Sequence, residues 1–193
     1  MILTFLCYVN IIMQLGGPTW AVRLGRRDST TASKKDAETS LPSFLLDLSG
    51  LIESFKKQGL NERDLVALSG GHTIGFAQCG AFKDRIFNET NIDSKFAQVL
   101  RQSCPPESTL VSFDATPDRF DVSYFTNLVN KEGLVHSDQA IFNGGSTDRL
   151  VRTYSSSRQA FFSDFARSMI KMGNIKPLTG NKGQIRLDCK KVN

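Results

Sequence analysis

The chain has 193 residues, 40% apolar and 22% charged, which is enough for one domain with a core and too apolar for a disordered polypeptide. Lys and Arg outnumber Asp and Glu by 24 to 19. The basic residues are dispersed, with pairs such as Arg26-Arg27, Lys34-Lys35, Lys56-Lys57 and Lys190-Lys191 as their densest runs, so they read as a solvated surface rather than a nucleic-acid patch. The first element, Met1 to Leu15, is apolar and uncharged. It is short for a membrane span and lacks a basic leader and a clear cleavage site, so a buried helix is expected there rather than a signal peptide. A glycine-, serine- and proline-bearing connection follows from Arg26 to Ser43. Phe44 to Gln58 carries Leu45, Leu48, Leu51, Ile52 and Phe55 at helical spacing, with Gly59 as the stop. Asn61 can cap the next helix, through Asp64, Leu65, Val66 and Leu68. Ile92 to Ser103 and Phe120 to Val129 read as further helices. Gln159 to Met172 has the broadest apolar stripe, with Phe161, Phe162, Phe165, Ala166, Met169 and Ile170. No alternating pattern marks a strand. The long connections, Cys104 to Arg119 and Gly173 to Asn193, call for pinning by a disulfide or a metal ion.

Chemistry-bearing residues are few. The four cysteines, Cys7, Cys79, Cys104 and Cys189, form no C-x-x-C pair. That argues against zinc and for disulfides in an oxidising compartment. Asn88-Glu89-Thr90 is a glycosylation sequon that agrees with such a compartment. The two histidines are His72 and His136. His72 lies in Leu68-Ser69-Gly70-Gly71-His72-Thr73-Ile74-Gly75, where the glycines leave room for a flat, bulky ligand and a neutral imidazole could bind iron. Composition alone leaves a packed core histidine as the simpler reading.

The segment DLVALSGGHTIGFAQC, from Asp64 to Cys79, resembles the proximal-haem signature of class III plant peroxidases. Four more blocks follow the order of that family: Gly17-Pro18-Thr19-Trp20 with Leu24 to Asp28; Phe120-Asp121 with Tyr124-Phe125 and Asn127-Leu128; Gly133-Leu134 with Ser137-Asp138-Gln139; and the tail from Met172 to Cys189. The resemblance covers Gly16 to Asn193. It implies an all-α haem peroxidase fold, in part: a proximal haem-binding portion over 16–193 and a remnant apolar helix over 1–15.

The resemblance also implies roles. His72 would be the axial ligand of the iron of one haem b, and Asp138 would accept a hydrogen bond from its other ring nitrogen. Thr73, Asp114, Thr116 and Asp121, with the carbonyl of Arg119, match a proximal calcium site of hard oxygen ligands. Pro42 matches the loop on which aromatic substrates lean, and Cys79 and Cys104 would form a disulfide. Cys189 would be free or mispaired with Cys7. Asp114 stands seven residues before Asp121, one fewer than usual in the family, and Val122 stands where an asparagine is usual. The distal histidine and arginine of the family have no counterpart. The implied function is hydrogen-peroxide-dependent oxidation of small phenolic donors, impaired by that absence. The alternative is a non-enzymatic, secreted haem- or calcium-binding protein, and a basic helical module for anionic polymers is the third option. Neither nucleic acid nor membrane is an expected partner. The chain would be a monomer, secreted to the cell wall or vacuole.

Overall fold

The computed structural model describes residues 9–193. Residues 1–8 lie outside it, and with them most of the expected apolar N-terminal helix and Cys7. From residue 9 the chain is helical over 9–14 (α1). Val9 and Ile12 on one side of α1 enter the core while Ile11 and Met13 face out, as one amphipathic turn and a half requires.

The remaining helices are α2 (Lys34–Ser40), α3 (Leu48–Lys57), α4 (Glu62–Ser69), α5 (Lys83–Asn88), α6 (Ser94–Ser103), α7 (Ser123–Val129), α8 (His136–Ala140), α9 (Asp148–Ser156) and α10 (Arg158–Gly173). The architecture is the helix-rich, all-α one expected. α4 begins at a reciprocal cap: Asn61 accepts from the Asp64 N–H at 3.0 Å and Asp64 accepts from the Asn61 N–H at 3.0 Å. α10 is capped by Ser157 and buries Phe161, Phe165 and Met169, one turn apart along a single face. That face packs on α4 and α9. Phe120 and Phe125 close the centre, with ring centroids 4.8 Å from Phe165 and Phe161 respectively.

Several expectations are corrected. α3 starts at Leu48 rather than Phe44, because Asp47 takes the extended N-cap position and leaves Phe44 and Leu45 exposed before it. Gly59 ends this region with φ +77°, which only glycine adopts without strain. A two-stranded antiparallel ribbon exists although no alternation signals it. β1 (Phe76–Gln78) pairs with β2 (Leu110–Ser112) in the register Phe76↔Ser112, Ala77↔Val111, Gln78↔Leu110. Each strand is only 3 residues long, too short for a period to show. α2 has no buried residue, so no apolar stripe could announce it. The tail after α10 is held by backbone bridges, Arg27↔Leu178 and Asp28↔Gln184; Cys189 is an exposed free thiol.

Beside the ribbon lies a second, smaller core of Cys79, Phe82, Ile86, Leu100, Cys104, Leu134 and Val135. Cys79 and Cys104 are joined in a disulfide, the pairing that the resemblance implied. It fastens the end of β1 to the end of α6.

Candidate functional site

α4 runs into a 3-10 turn, Gly70–Thr73, that carries His72 out of the main core. Gly70 serves packing here rather than ligand room. A Cβ on it would stand 2.5 Å from Phe161 and 2.7 Å from Phe125, so the turn can lie on the aromatic core only without a side chain. Gly75, at φ +93°, then reverses the chain into β1.

His72 is held on one nitrogen and open on the other. Its Nδ1 is 2.8 Å from Asp138 Oδ1. Its Nε2 has no protein partner among the described residues, and the side chain is 43% exposed. Phe113 stacks on the ring at 4.0 Å and 12°. Asp138 is 2% exposed; it also accepts from the Tyr124 hydroxyl at 3.0 Å and from the Val135 N–H at 3.3 Å. Burial alone would push the His72 imidazole down, but the charge and hydrogen bond of Asp138 outweigh it and hold the ring above its ordinary value. A ring anchored at Nδ1 by a buried carboxylate, with Nε2 free, is the donor arrangement of an axial metal ligand. The residues present therefore fit a haem iron.

Thr73 is buried against a partly buried oxygen cluster. Its hydroxyl donates to Asp114 Oδ2 at 2.8 Å and lies 3.5 Å from Asp121 Oδ1. The Thr116 hydroxyl lies 3.1 Å from Asp121 Oδ2 and 3.4 Å from Asp114 Oδ1. The Arg119 N–H bonds Thr116 O at 2.8 Å, which draws Arg119 into the same turn. Burial pushes the Asp114 carboxyl up, with the Asp121 charge adding to it. Two carboxylates and two hydroxyls without a Lys or Arg suit a hard cation. Among the described residues no group of three His, Cys, Asp or Glu side chains gathers for a metal, so hydroxyls and carbonyls would have to complete any shell. The shortened spacing does not separate Asp114 from Asp121.

Pro42 is exposed, in the connection before α3. Its loop nevertheless reaches α8, where the Ser137 N–H bonds Phe44 O at 3.0 Å, one residue from Asp138. His136, on the same helix, faces a carboxylate with each nitrogen: Nδ1 is 2.7 Å from Glu89 and Nε2 2.9 Å from Asp47. Sequence reasoning placed Tyr124 only within a family block and missed its bond to Asp138; nothing in an aromatic run on a short helix announces such a bond. Phe113, in a connection read as loop, was missed as well.

The fold and the His72–Asp138 pair define a helical protein that presents an imidazole on an anchoring carboxylate. Comparison with known proteins supplies the family. The family model described as Peroxidase matches residues 3–157. "Peroxidase 2" of Oryza sativa subsp. japonica is 55% identical over 188 residues, covering 94% of this chain and 60% of the relative. "Lignin-forming anionic peroxidase" of Nicotiana sylvestris is 56% identical over 184 residues, covering 93% of this chain and 57% of the relative. "Peroxidase 4" of Vitis vinifera is 53% identical over 188 residues, with 94% and 59% covered. The chain belongs to the class III plant peroxidases. It spans 57% to 60% of the length of these relatives.

Proposed function

We propose that this chain carries the axial-ligand portion of a haem peroxidase that oxidises small phenolic donors with hydrogen peroxide. His72 would bind the iron of one haem b through Nε2. Thr73, Asp114, Thr116 and Asp121, with the Arg119 carbonyl, would hold one calcium. The observation that carries the reading is the His72–Asp138 pair, an imidazole anchored at Nδ1 at 2.8 Å with its other nitrogen free. When bound, the haem supplies the redox-active iron for reducing peroxide to water at the expense of the donors. The protein's own residues orient and tune. Asp138 accepts the Nδ1–H hydrogen bond and fixes the ring, and Thr73 ties the same turn to the oxygen cluster. The loop of Pro42, flanked by exposed Leu41 and Phe44, offers an apolar rest for an aromatic donor. The disulfide and the Asn88 sequon support a secreted chain, to the cell wall or vacuole, and we read it as a monomer. Among the described residues no helix is long and apolar enough to cross a membrane.

Hemin titration tests the reading. A Soret band should appear and should be lost in His72→Ala; an unchanged band in that variant would reject His72 as the ligand. Turnover by these 193 residues alone is expected to be slow. Reduction of peroxide would need a protein base that takes a proton from the peroxide and returns it to the leaving oxygen. His72 and His136 are the only histidines. His72 is taken by the iron in this reading, and His136 has both nitrogens on carboxylates. Positioned acid–base catalysis contributes about 10²–10⁴-fold, so turnover should fall at least about a hundredfold below that of a full-length relative. Steady-state oxidation of guaiacol measures this, and rates equal to the relative's would refute it. Adding the part of a relative that this chain does not span, as a separate polypeptide, should raise the rate. A Soret band without any such recovery would favour the non-enzymatic alternative.

A further inference from the structure

One oxygen of Asp138 accepts two hydrogen bonds. His72 Nδ1 lies 2.8 Å from Oδ1 and the Tyr124 hydroxyl 3.0 Å from the same atom. The other oxygen receives the Val135 N–H at 3.3 Å. Asp138 and Tyr124 are both buried, so bulk water does not compete at this carboxylate. No Lys or Arg pairs with Asp138 among the described residues; its one ion-pair partner is His72. The charge is shared between an imidazole, a phenol and a peptide N–H.

We propose that Tyr124 is a positioning residue for the His72 imidazole: its hydroxyl takes up part of the Asp138 charge and thereby limits how far the carboxylate draws the Nδ1 proton off the ring. Donors that converge on one carboxylate oxygen compete, because each disperses the charge that attracts the other. With the phenol in place Asp138 accepts less strongly and the proton stays close to Nδ1. Without it the Nδ1–H···Oδ1 hydrogen bond strengthens and the proton is shared more fully with Asp138. Phenol geometry favours this role. The Tyr124 ring stands edge-on to Phe125 at 5.1 Å and 76°, and edge-on to His72 at 6.1 Å and 83°, so the hydroxyl is held in place by packing on two sides. Burial, and then the Asp138 charge, keep the phenol protonated and so a donor.

Chain topology gives the device a second use. Tyr124 stands three residues after Asp121 at the start of α7. One short helix start therefore serves both the carboxylate behind His72 and the oxygen cluster behind Thr73. The inference rests on the axial-ligand reading of His72 only for its haem measurements, since the competition at Asp138 exists in the haem-free chain. A more imidazolate-like ligand stabilises the higher charge on iron. Tyr124 would accordingly hold the iron potential up.

Tyr124→Phe in the 193-residue chain is the test. In the haem-free, ¹⁵N-labelled protein the His72 Nδ1–H resonance should move downfield, and the same change in an Asp138→Asn background should move it little. After hemin is added, the ferrous iron–imidazole stretch should rise and the ferric/ferrous potential should fall. An unmoved or upfield-shifted Nδ1–H resonance overturns the proposal. Absence of any His72-dependent Soret band rejects the axial-ligand reading instead, and the resonance of the haem-free chain still decides the role of Tyr124. If Tyr124→Phe loses its far-UV helical signal, 3-fluorotyrosine at 124 replaces it. As a stronger donor it should shift the resonance upfield, and no shift then overturns the proposal.

Discussion

Asp164, on α10, and Asp114, just after β2, are 5% and 4% exposed, yet the chain surrounds them differently. Asp164 accepts from the Tyr154 hydroxyl at 2.7 Å, from Arg63 at 2.8 Å and from Arg167 at 2.7 Å. Its neighbour in the helix-packed half, Asp64, takes Lys171 on both oxygens at 2.9 Å and Ser168 at 2.8 Å. Burial pushes Asp64 up, but the Asn61 N–H and the Lys171 ammonium outweigh it and hold the carboxyl below its usual value. Among the described residues Asp114 meets Thr73, Thr116 and a second carboxylate, Asp121, with no cationic side chain, and is pushed up. Carboxylates neutralised by the chain's own cations brace helix against helix. A carboxylate pair facing hydroxyls draws its neutralising charge from elsewhere, and that pair is the one we propose for calcium.

The largest effect should come from breaking the braced side. Asp164→Ala leaves the buried Tyr154 hydroxyl without its acceptor, at about 1–3 kcal/mol, and loses two pairs to exposed arginines worth at most about 1 kcal/mol each. Urea denaturation should register a loss of about 3 kcal/mol, equal with and without calcium. A loss that calcium restores would erase the contrast between the two sides. On the other side, calcium at a hundredfold over its dissociation constant should add about 2.7 kcal/mol. Melting curves with and without chelator measure it. Asp121→Ala should abolish the increment, whereas Asp164→Ala should leave it; a chelator without effect on the parent chain would mean that the cluster binds no cation.

Acid sharpens the comparison further. Because the folded value of Asp64 is lowered, its contribution is present above the unfolded carboxyl value of about 3.9 and is lost as pH falls through the folded one. Asp64→Asn should flatten the drop in the urea midpoint below about pH 4; an unchanged drop would count against the pairing with Lys171. The smallest effect concerns His136. Burial lowers its imidazole, but its bonds to Glu89 and Asp47 outweigh this and raise it. Both nitrogens can donate only when the ring is protonated. Its contribution is therefore full below the unfolded value of about 6.5 and lost as pH rises through the folded one. His136→Gln should destabilise at pH 5.5 and hardly at pH 8.5.

The sequence made much of this legible through spacing. The cap at Asn61, the stop at Gly59 and the stripe on α10 are local features, and they formed where local chemistry put them. His72 and Asp138 are 66 positions apart, and only the family blocks joined them on the page. The role of Gly70 was misread because what excludes a side chain there is Phe161, 91 residues later. α2, exposed throughout, and the three-residue strands carry no periodic signal strong enough to find. Tyr124 was legible only as part of a family block, because its hydroxyl partner is fixed by how α7 and α8 meet.

The bridges from Arg27 to Leu178 and from Asp28 to Gln184 bear on how the molecule is made. Residues 27 and 28 are synthesised about 150 residues ahead of their backbone partners. At about 5–20 residues per second, the early segment waits on the order of ten to thirty seconds for a partner. Until then its N–H and C=O groups must be satisfied by water or by a chaperone. The stretch after α10 is the one that supplies these partners. A stall or premature stop just after α10 would release a polypeptide with its aromatic core encoded in full and without the backbone groups that bridge to residues 27 and 28.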